Sequence, residues 1–296
     1  MTRSDGLPVS RSAESLDAVV TRLRAAGCVF AEDEARLLVA AARTPAELTA
    51  MVGRRAAGLP LEHVLGWAEF CGLRIAVEPG VFVPRRRTEF LVGQAAALAC
   101  DAAGAAASGS ASAPASPAER VVVADLCCGS GALGVALAGA LGQAELHAAD
   151  IDPAAVRCAR RNVATVGGRV YEGDLYDPLP ATLRGRVGIL LANVPYIPTG
   201  EIGTLPAEAR LHEPQVALDG GPDGLDILCR VAAAAPDWLA PGGSLLSETS
   251  EDQAPAAESI LARAGLTTRV ARCDDLNATV VIGTREVSGK VSSPPM

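Results

Sequence analysis

The sequence has almost no lysine, few aromatics, three histidines and no long apolar run, and each shortage closes off a class of function. Lys290 is the only lysine, and 26 basic against 34 acidic side chains give a formal net charge of -8. A field of that sign repels phosphate backbones, which leaves room for a local basic groove but not for a large nucleic-acid footprint. Arg85, Arg86 and Arg87 form the one notable basic run, and three adjacent arginines read as a solvated turn. The eight cysteines include no C-x-x-C pair and no histidine at metal-ligand spacing, so they read as reduced thiols and no metal site is expected. Adjacent Cys127 and Cys128 suit compact packing in a turn. No stretch approaches the ~20 apolar residues of a membrane span, and no basic region followed by an apolar one opens the chain. A cytoplasmic, monomeric protein is expected.

What is present suffices for one large core and a small one, since 49% of the 296 residues are hydrophobic. Leu16, Val19, Val20 and Leu23 share a helical face, as do Ala35, Leu38, Val39 and Ala42, and Thr44-Pro45 starts a third helix. These place a small helical domain over residues 1–68. Alternation at Leu73, Ile75 and Val77, a turn at Glu78-Pro79-Gly80, then Val81 and Val83, predict a β-hairpin joining the domains over 69–86. A larger domain follows over 87–285. The Ala, Gly, Ser and Pro of 102–118 read as a flexible loop, and 286–296 as a disordered tail.

From Arg120 the chain alternates strand and helix, with strands expected at 120–126, 144–150, 168–173 and 187–193, and helices near 131–140 and 153–166. Apolar runs such as Val121-Val122-Val123 and Ile189-Leu190-Leu191 suit buried parallel strands. Pro241-Gly242-Gly243 stops a helix running through Leu225, Leu228 and Val231, and a strand is expected at 244–248. The last two strands, 267–273 and 278–284, are separated by so few residues that they must pair antiparallel. An α/β fold with a parallel sheet ending in an antiparallel hairpin is the Rossmann-like sheet of class I methyltransferases, and is not expected of a dinucleotide-binding dehydrogenase.

Asp125-Leu126-Cys127-Cys128-Gly129-Ser130-Gly131 runs from a strand into a helix, where glycines let the backbone approach a ligand and the helix start offers free N–H groups. Gly129, Gly131 and Gly134 satisfy G-x-G-x-x-G, and Asp150 lies where an acid would accept ribose hydroxyls, so this stretch alone fits either NAD or S-adenosylmethionine. Asp125, a charge at the end of a buried strand, needs a partner. The cationic amino-acid part of S-adenosylmethionine would serve, and so would a helix start that it caps. Asp150 reads as a ribose acceptor or a helix cap, although Asp152 suits the cap better. Asp174 reads as a contact to the adenine edge or as a turn residue.

Asn193-Val194-Pro195-Tyr196 follows the fourth strand, where ligands of open parallel sheets sit. An amide nitrogen is a poor nucleophile because its lone pair is delocalised. Acceptors holding both N–H bonds favour a pyramidal nitrogen, and the Asn193 side chain and the Pro195 carbonyl suit that task, with Tyr196 packing on the amide plane. The plain alternative is an Asn-initiated turn broken by Pro195.

These motifs, with Leu61 to Gly66, Pro79 to Arg85, Thr88-Glu89, Ala149 to Pro153, Glu213-Pro214 and Ala217 to Asp226, resemble the HemK/PrmC family of protein-glutamine N-methyltransferases over about residues 55–284. The resemblance implies S-adenosylmethionine bound by Asp125, Cys127, Cys128, Gly129, Ser130, Gly131, Asp150, Ile151, Asp174, Leu175 and Asn193. It implies a glutamine amide held by Asn193, Val194, Pro195 and Tyr196, with Asn193, Pro195 and Tyr196 catalytic, and a protein substrate, the Gly-Gly-Gln loop of a peptide-chain release factor, met by the N-terminal helices. The chain departs from the family pattern at Cys127 and Cys128, where Gly and a small polar residue stand, at Val194, where Pro stands, and at Arg86-Arg87, where Pro-Glu stands.

Three other readings compete. An adenine amino methyltransferase poses the same electronic problem, but the acidic charge, the few aromatics and the neutral N-terminal helices count against stable nucleic-acid binding. A non-catalytic S-adenosylmethionine-binding module for a translation factor has no use for an intact Asn193, Pro195 and Tyr196. An NAD-dependent oxidoreductase lacks a proton-shuttling histidine near the strand ends, since His63, His147 and His212 all read as structural.

Overall fold

The structure, a computed structural model, describes residues 15–108 and 120–287, the side chains of 103–108 excepted. The chain divides after Gly66 into two compact units. In the first, helices α1 (Leu16–Ala25), α2 (Ala31–Ala41), α3 (Pro45–Ala56) and α4 (Leu61–Leu65) follow one another. Ser15 and Thr44 cap α1 and α3 by accepting from the N–H groups of Ala18 and Glu47, and Pro45 fills a first-turn position that needs no N–H. The apolar face then buries Val19, Leu23, Ala35, Leu38, Met51 and Val52 together. An ion pair enters this core: Arg55 donates to both oxygens of Glu34, at 2.6 and 3.0 Å, the two-pronged geometry that offsets burial of both charges.

The second unit opens with strands β1 (Trp67–Phe70) and β2 (Leu73–Ala76), paired antiparallel. Their turn is Cys71-Gly72, with φ of 50° and 71°, not Glu78-Pro79-Gly80. Two successive left-handed residues give the twist that a two-residue hairpin requires. Val77, Val81 and Val83 are buried around Cys158 without forming a strand, so their alternation reported one-sided burial, which an extended segment achieves without a pairing partner. Helix α5 (Glu89–Ser108) also runs further than expected, taking in 102–108. Alanine is the best helix former, and here it continues a helix already nucleated. The rest of the expected loop, 109–118, and most of the expected tail lie outside the described residues.

The sheet is then built from β3 (Val121–Leu126), β4 (Ala144–Asp150), β5 (Arg169–Glu172), β6 (Val187–Ala192), β7 (Leu239–Thr249), β8 (Thr267–Cys273) and β9 (Ala278–Thr284). Helices α6 (Ala132–Leu141), α7 (Pro153–Val163), α8 (Ala207–His212), α9 (Asp226–Trp238) and α10 (Ala254–Arg263) lie between them in sequence. The spatial order is β5-β4-β3-β6-β7-β9-β8, parallel through β7, with β9 inserted antiparallel between β7 and β8. Alternate residues feed two cores: Leu190 and Ala192 join one, Ile189 and Leu191 the other. Strand β7 begins at Leu239, before the expected stop. Pro241-Gly242-Gly243 lies inside it, where the register against β6 slips and a Cβ on Gly243 would stand 2.5 Å from the Val187 carbonyl oxygen. A parallel sheet closed by one inserted antiparallel strand is the class I methyltransferase fold. Its strand order reverses direction between β3 and β6, which opens a crevice at their carboxyl ends.

Candidate active site

Asp125 lies in β3 one residue before its end and is 1% exposed. Its Oδ2 accepts the N–H of Gly134 in the first turn of α6 at 2.9 Å, so the capping role is real. Among the described residues no cation pairs with it. Burial pushes its pKa up to about 7 against the lowering effect of that hydrogen bond, and the charge of Asp150 adds to the rise. Asp150 ends β4 and accepts from Gly129 N–H at 2.8 Å and from Asp152 N–H at 2.9 Å. Asp152, not Asp150, caps α7, accepting from Ala154 N–H at 2.8 Å. Asp150 therefore ties the glycine turn to β4, and burial raises its pKa too.

The turn over Cys127 to Gly131 bends through left-handed backbone at Cys127 (φ 53°), Gly129 (54°) and Gly131 (77°). Gly131 is also required by packing, because a Cβ there would meet Val163 of α7 at 2.9 Å. Ser130 is buried, and Cys128 is buried with its N–H donating to Ala149 O at 3.1 Å. Burial raises the thiol pKa of both Cys127 and Cys128, with nearby Asp125 and Asp150 adding to it, so neither is a thiolate nucleophile. Ile151 presents an apolar side chain that is 52% exposed. Asp174 pairs with Arg230 of α9, and Leu175 is buried in left-handed backbone. Two buried carboxylates with no cation among the described residues, beside a turn whose Gly129 and Gly131 let a ligand approach the backbone, fit a ligand that carries both a positive charge and ribose hydroxyls. S-adenosylmethionine is such a ligand.

Leu126 pairs with Ala192 and Leu191 with Leu246, so Asn193 stands between the glycine turn and Glu248 of β7. The Asn193 Oδ1 is buried and has no hydrogen-bond partner among the described residues. Pro195 is buried, whereas Tyr196 is half-buried. Val194, expected to touch substrate, packs its side chain into the core and is 3% exposed, which leaves its backbone for that contact. An apolar residue one position along from Asn193 points the opposite way, and there it packs.

The Tyr196 hydroxyl donates to Glu248 Oε1 at 3.0 Å, Arg87 Nε donates to the same oxygen at 2.9 Å, and Arg87 Nη2 donates to the tyrosine oxygen. Burial and the Glu248 charge push the phenol pKa up, so Tyr196 keeps its proton. Arg85 pairs with Glu213. Arg86 and Arg87 are both exposed, yet Arg87, like Arg85, is held by a carboxylate, so the run is not simply a solvated turn. Arg85 and Arg87 reach carboxylates 128 and 161 residues away.

The backbone of the Asn193 turn is held from outside. Gln253 Nε2 donates to Tyr196 O and to Asp223 O, both at 2.9 Å, and Gly220 N–H donates to Ile197 O at 2.9 Å. A Cβ on Gly220 would lie 2.6 Å from Pro195 O, and one on Gly224 would lie 2.2 Å from Tyr196 O. The glycines of 220–224 therefore permit direct contact with the turn. Arg87, Glu248 and Gln253 were missed as site residues. Glu248 carried a usable signal, the one that marked Asp125: a charge at the end of an otherwise buried strand. His147 bonds to Tyr171 and Glu145 within the sheet, as a structural histidine should.

The methyltransferase small domain family matches residues 113–210. A release factor glutamine methyltransferase of Geobacter sulfurreducens is 38% identical over 83% of this chain and 78% of its own length. One of Bradyrhizobium diazoefficiens is 33% identical over 84% of this chain and 85% of its own. A solved ribosomal-protein methylase from Lactobacillus delbrueckii subsp. bulgaricus covers 72% of this chain and 85% of its own at 18% identity, with a TM-score of 0.47. Identity of this depth to the first two over most of both chains shows that the protein belongs to the release factor glutamine methyltransferase family.

Proposed function

We infer that the chain transfers a methyl group from S-adenosylmethionine to the side-chain amide nitrogen of a glutamine in a protein, and that this glutamine lies in the Gly-Gly-Gln loop of a peptide-chain release factor. The observation that carries the reading is the Asn193 Oδ1, an acceptor buried beside the glycine turn without a donor among the described residues. A buried oxygen in that state costs free energy until a ligand N–H meets it. The names of the relatives supply the glutamine and the release factor as the donor of that N–H.

S-adenosylmethionine supplies, when bound, a methyl group on a cationic sulfur. Asp125 would face its cationic amino-acid part, Asp150 its ribose hydroxyls, and Gly129 to Gly131 would leave room for its backbone-close approach. Ile151 and Leu175 would flank the adenine, with Asp174 at its edge. On the accepting side, the Asn193 Oδ1 and the Pro195 carbonyl would each take one amide N–H. The stronger those bonds become as the nitrogen pyramidalises, the lower the barrier. Tyr196, fixed by Arg87 and Glu248, would pack on the amide plane and orient it.

The test is direct: the purified chain, labelled S-adenosylmethionine and a release-factor fragment, with the modified residue located by mass spectrometry. Label on the glutamine of Gly-Gly-Gln supports the reading. Label on adenine of added nucleic acid, and none on the fragment, would replace it.

A further inference from the structure

Methylating a carboxamide leaves a proton to be removed, and none of the residues assigned above removes it. As the N–C bond forms and the S–C bond breaks, the positive charge of sulfur passes to the amide nitrogen. One N–H bond must then break, its electron pair staying on nitrogen. The oxygens of Asn193 and Pro195 are neutral amide oxygens, too weakly basic to keep a proton. The Tyr196 phenol already holds one, its pKa raised by burial and by Glu248.

Glu248 is different. Its side chain is 3% exposed, and its Oε1 takes both the Tyr196 O–H and the Arg87 N–H. Its Oε2 is buried and has no partner among the described residues. The Asn193 Oδ1 is in the same condition at the end of the adjoining strand, and Tyr196 belongs to the same turn as Asn193. Two orphaned acceptors on adjoining strands, one neutral and one a carboxylate, form a set in which only the carboxylate is a base.

We propose that Glu248 is the proton acceptor of the methyl transfer. Its Oε2 takes the proton lost from the amide nitrogen, while Arg87 and Tyr196 hold Oε1 and aim the carboxylate at the turn. Arg87 is then a positioning residue. This rests on the methyl-accepting reading of Asn193, and the experiment separates the two.

Steady-state methylation of the release-factor fragment by the full chain is compared for wild type, Glu248→Gln and Glu248→Asp, with cofactor affinity measured by calorimetry. The Gln variant keeps the shape and an acceptor for Arg87 and Tyr196 but cannot take the proton. Its kcat is expected to fall about 100-fold, the scale of a lost general base, with the KM for the fragment and the cofactor Kd within about threefold of wild type. The Asp variant, still a base, should recover about tenfold over Gln. A Gln variant with kcat within about threefold of wild type, a loss confined to KM, or an Asp variant no better than Gln would each overturn the proposal while the wild type still methylates the fragment. A wild type that leaves the fragment unmodified overturns the underlying reading and this one with it.

Discussion

Asp125 and Glu248 are both carboxylates at the ends of buried strands, 1% and 3% exposed, yet the protein compensates them differently. On the β3–β4 side the acids receive backbone N–H groups, among them Gly134 for Asp125 and Gly129 and Asp152 for Asp150. The result is a pair of acids with no positive partner among the described residues, where desolvation raises both pKa values. On the β6–β7 side a guanidinium meets the carboxylate, and what stays unsatisfied is acceptor capacity, on Asn193 and Glu248. One half of the edge waits for a positive charge and the other for N–H donors. That asymmetry matches a cationic methyl donor facing a carboxamide acceptor.

The comparison breaks most visibly at Asn193. Asn193→Ala is expected to lower kcat by about 10² to 10³, as loss of one preorganised polar group does, with cofactor affinity within a few fold. Asn193→Asp should bind cofactor and still turn over poorly, because it adds a charge where a neutral acceptor is needed. Wild-type turnover in the Ala variant would reduce the motif to a turn. The mirror experiment is Asp150→Ala, expected to weaken S-adenosylmethionine binding by roughly 1.5 to 3 kcal/mol while kcat at saturating cofactor changes little. Unchanged affinity by calorimetry would remove Asp150 from the site.

A pH titration sharpens the contrast. The Asp125 pKa is raised from 3.8 to about 7 in the ligand-free fold, so the stability it contributes is present below the lower value and lost as pH rises through the upper one. A cationic ligand favours the ionised form. Cofactor affinity should therefore be highest above pH 7 and fall by up to about tenfold per unit below it, with proton release on binding. Asp125→Asn should flatten the profile, and a wild-type affinity independent of pH between about 6 and 8, one unit either side of that pKa, would contradict it. The smallest effect is expected at Cys127, a side chain in left-handed backbone at φ 53°. Cys127→Gly relieves about 1 kcal/mol of strain against a similar gain in unfolded-state entropy and loses the packing of the half-buried thiol on the core, so the melting temperature should hold or fall slightly. A rise of several degrees would show that backbone strain outweighs that packing.

Much of this was legible before folding. The alternation of buried runs and amphipathic segments placed β3 to β6 within about a residue, and the short link between β8 and β9 dictated their antiparallel pairing. The errors share a cause. The pattern at Val77, Val81 and Val83 reported burial but not the partner that provides it. The alanine-rich stretch after Asp101 reported low complexity, while a helix started upstream decided its conformation through residue 108. Pro241-Gly242-Gly243 reported a break, and the close approach of Val187 made it part of a strand instead.

The sequence by itself determined what lies within a few residues: the glycine turn after β3, the acid ending β4, the Asn193 turn, and the α/β order that brings them to one edge. These follow from local backbone preference and from apolar periodicity, which a contiguous segment carries whole. Only the tertiary structure decided which charges meet. Arg87 and Glu248 are 161 residues apart and Gln253 and Tyr196 are 57 apart, and no local rule selects such partners. Their pairing is set by strand order and by the cost of burying a charge or a polar group alone, which is felt only once the chain has closed around it.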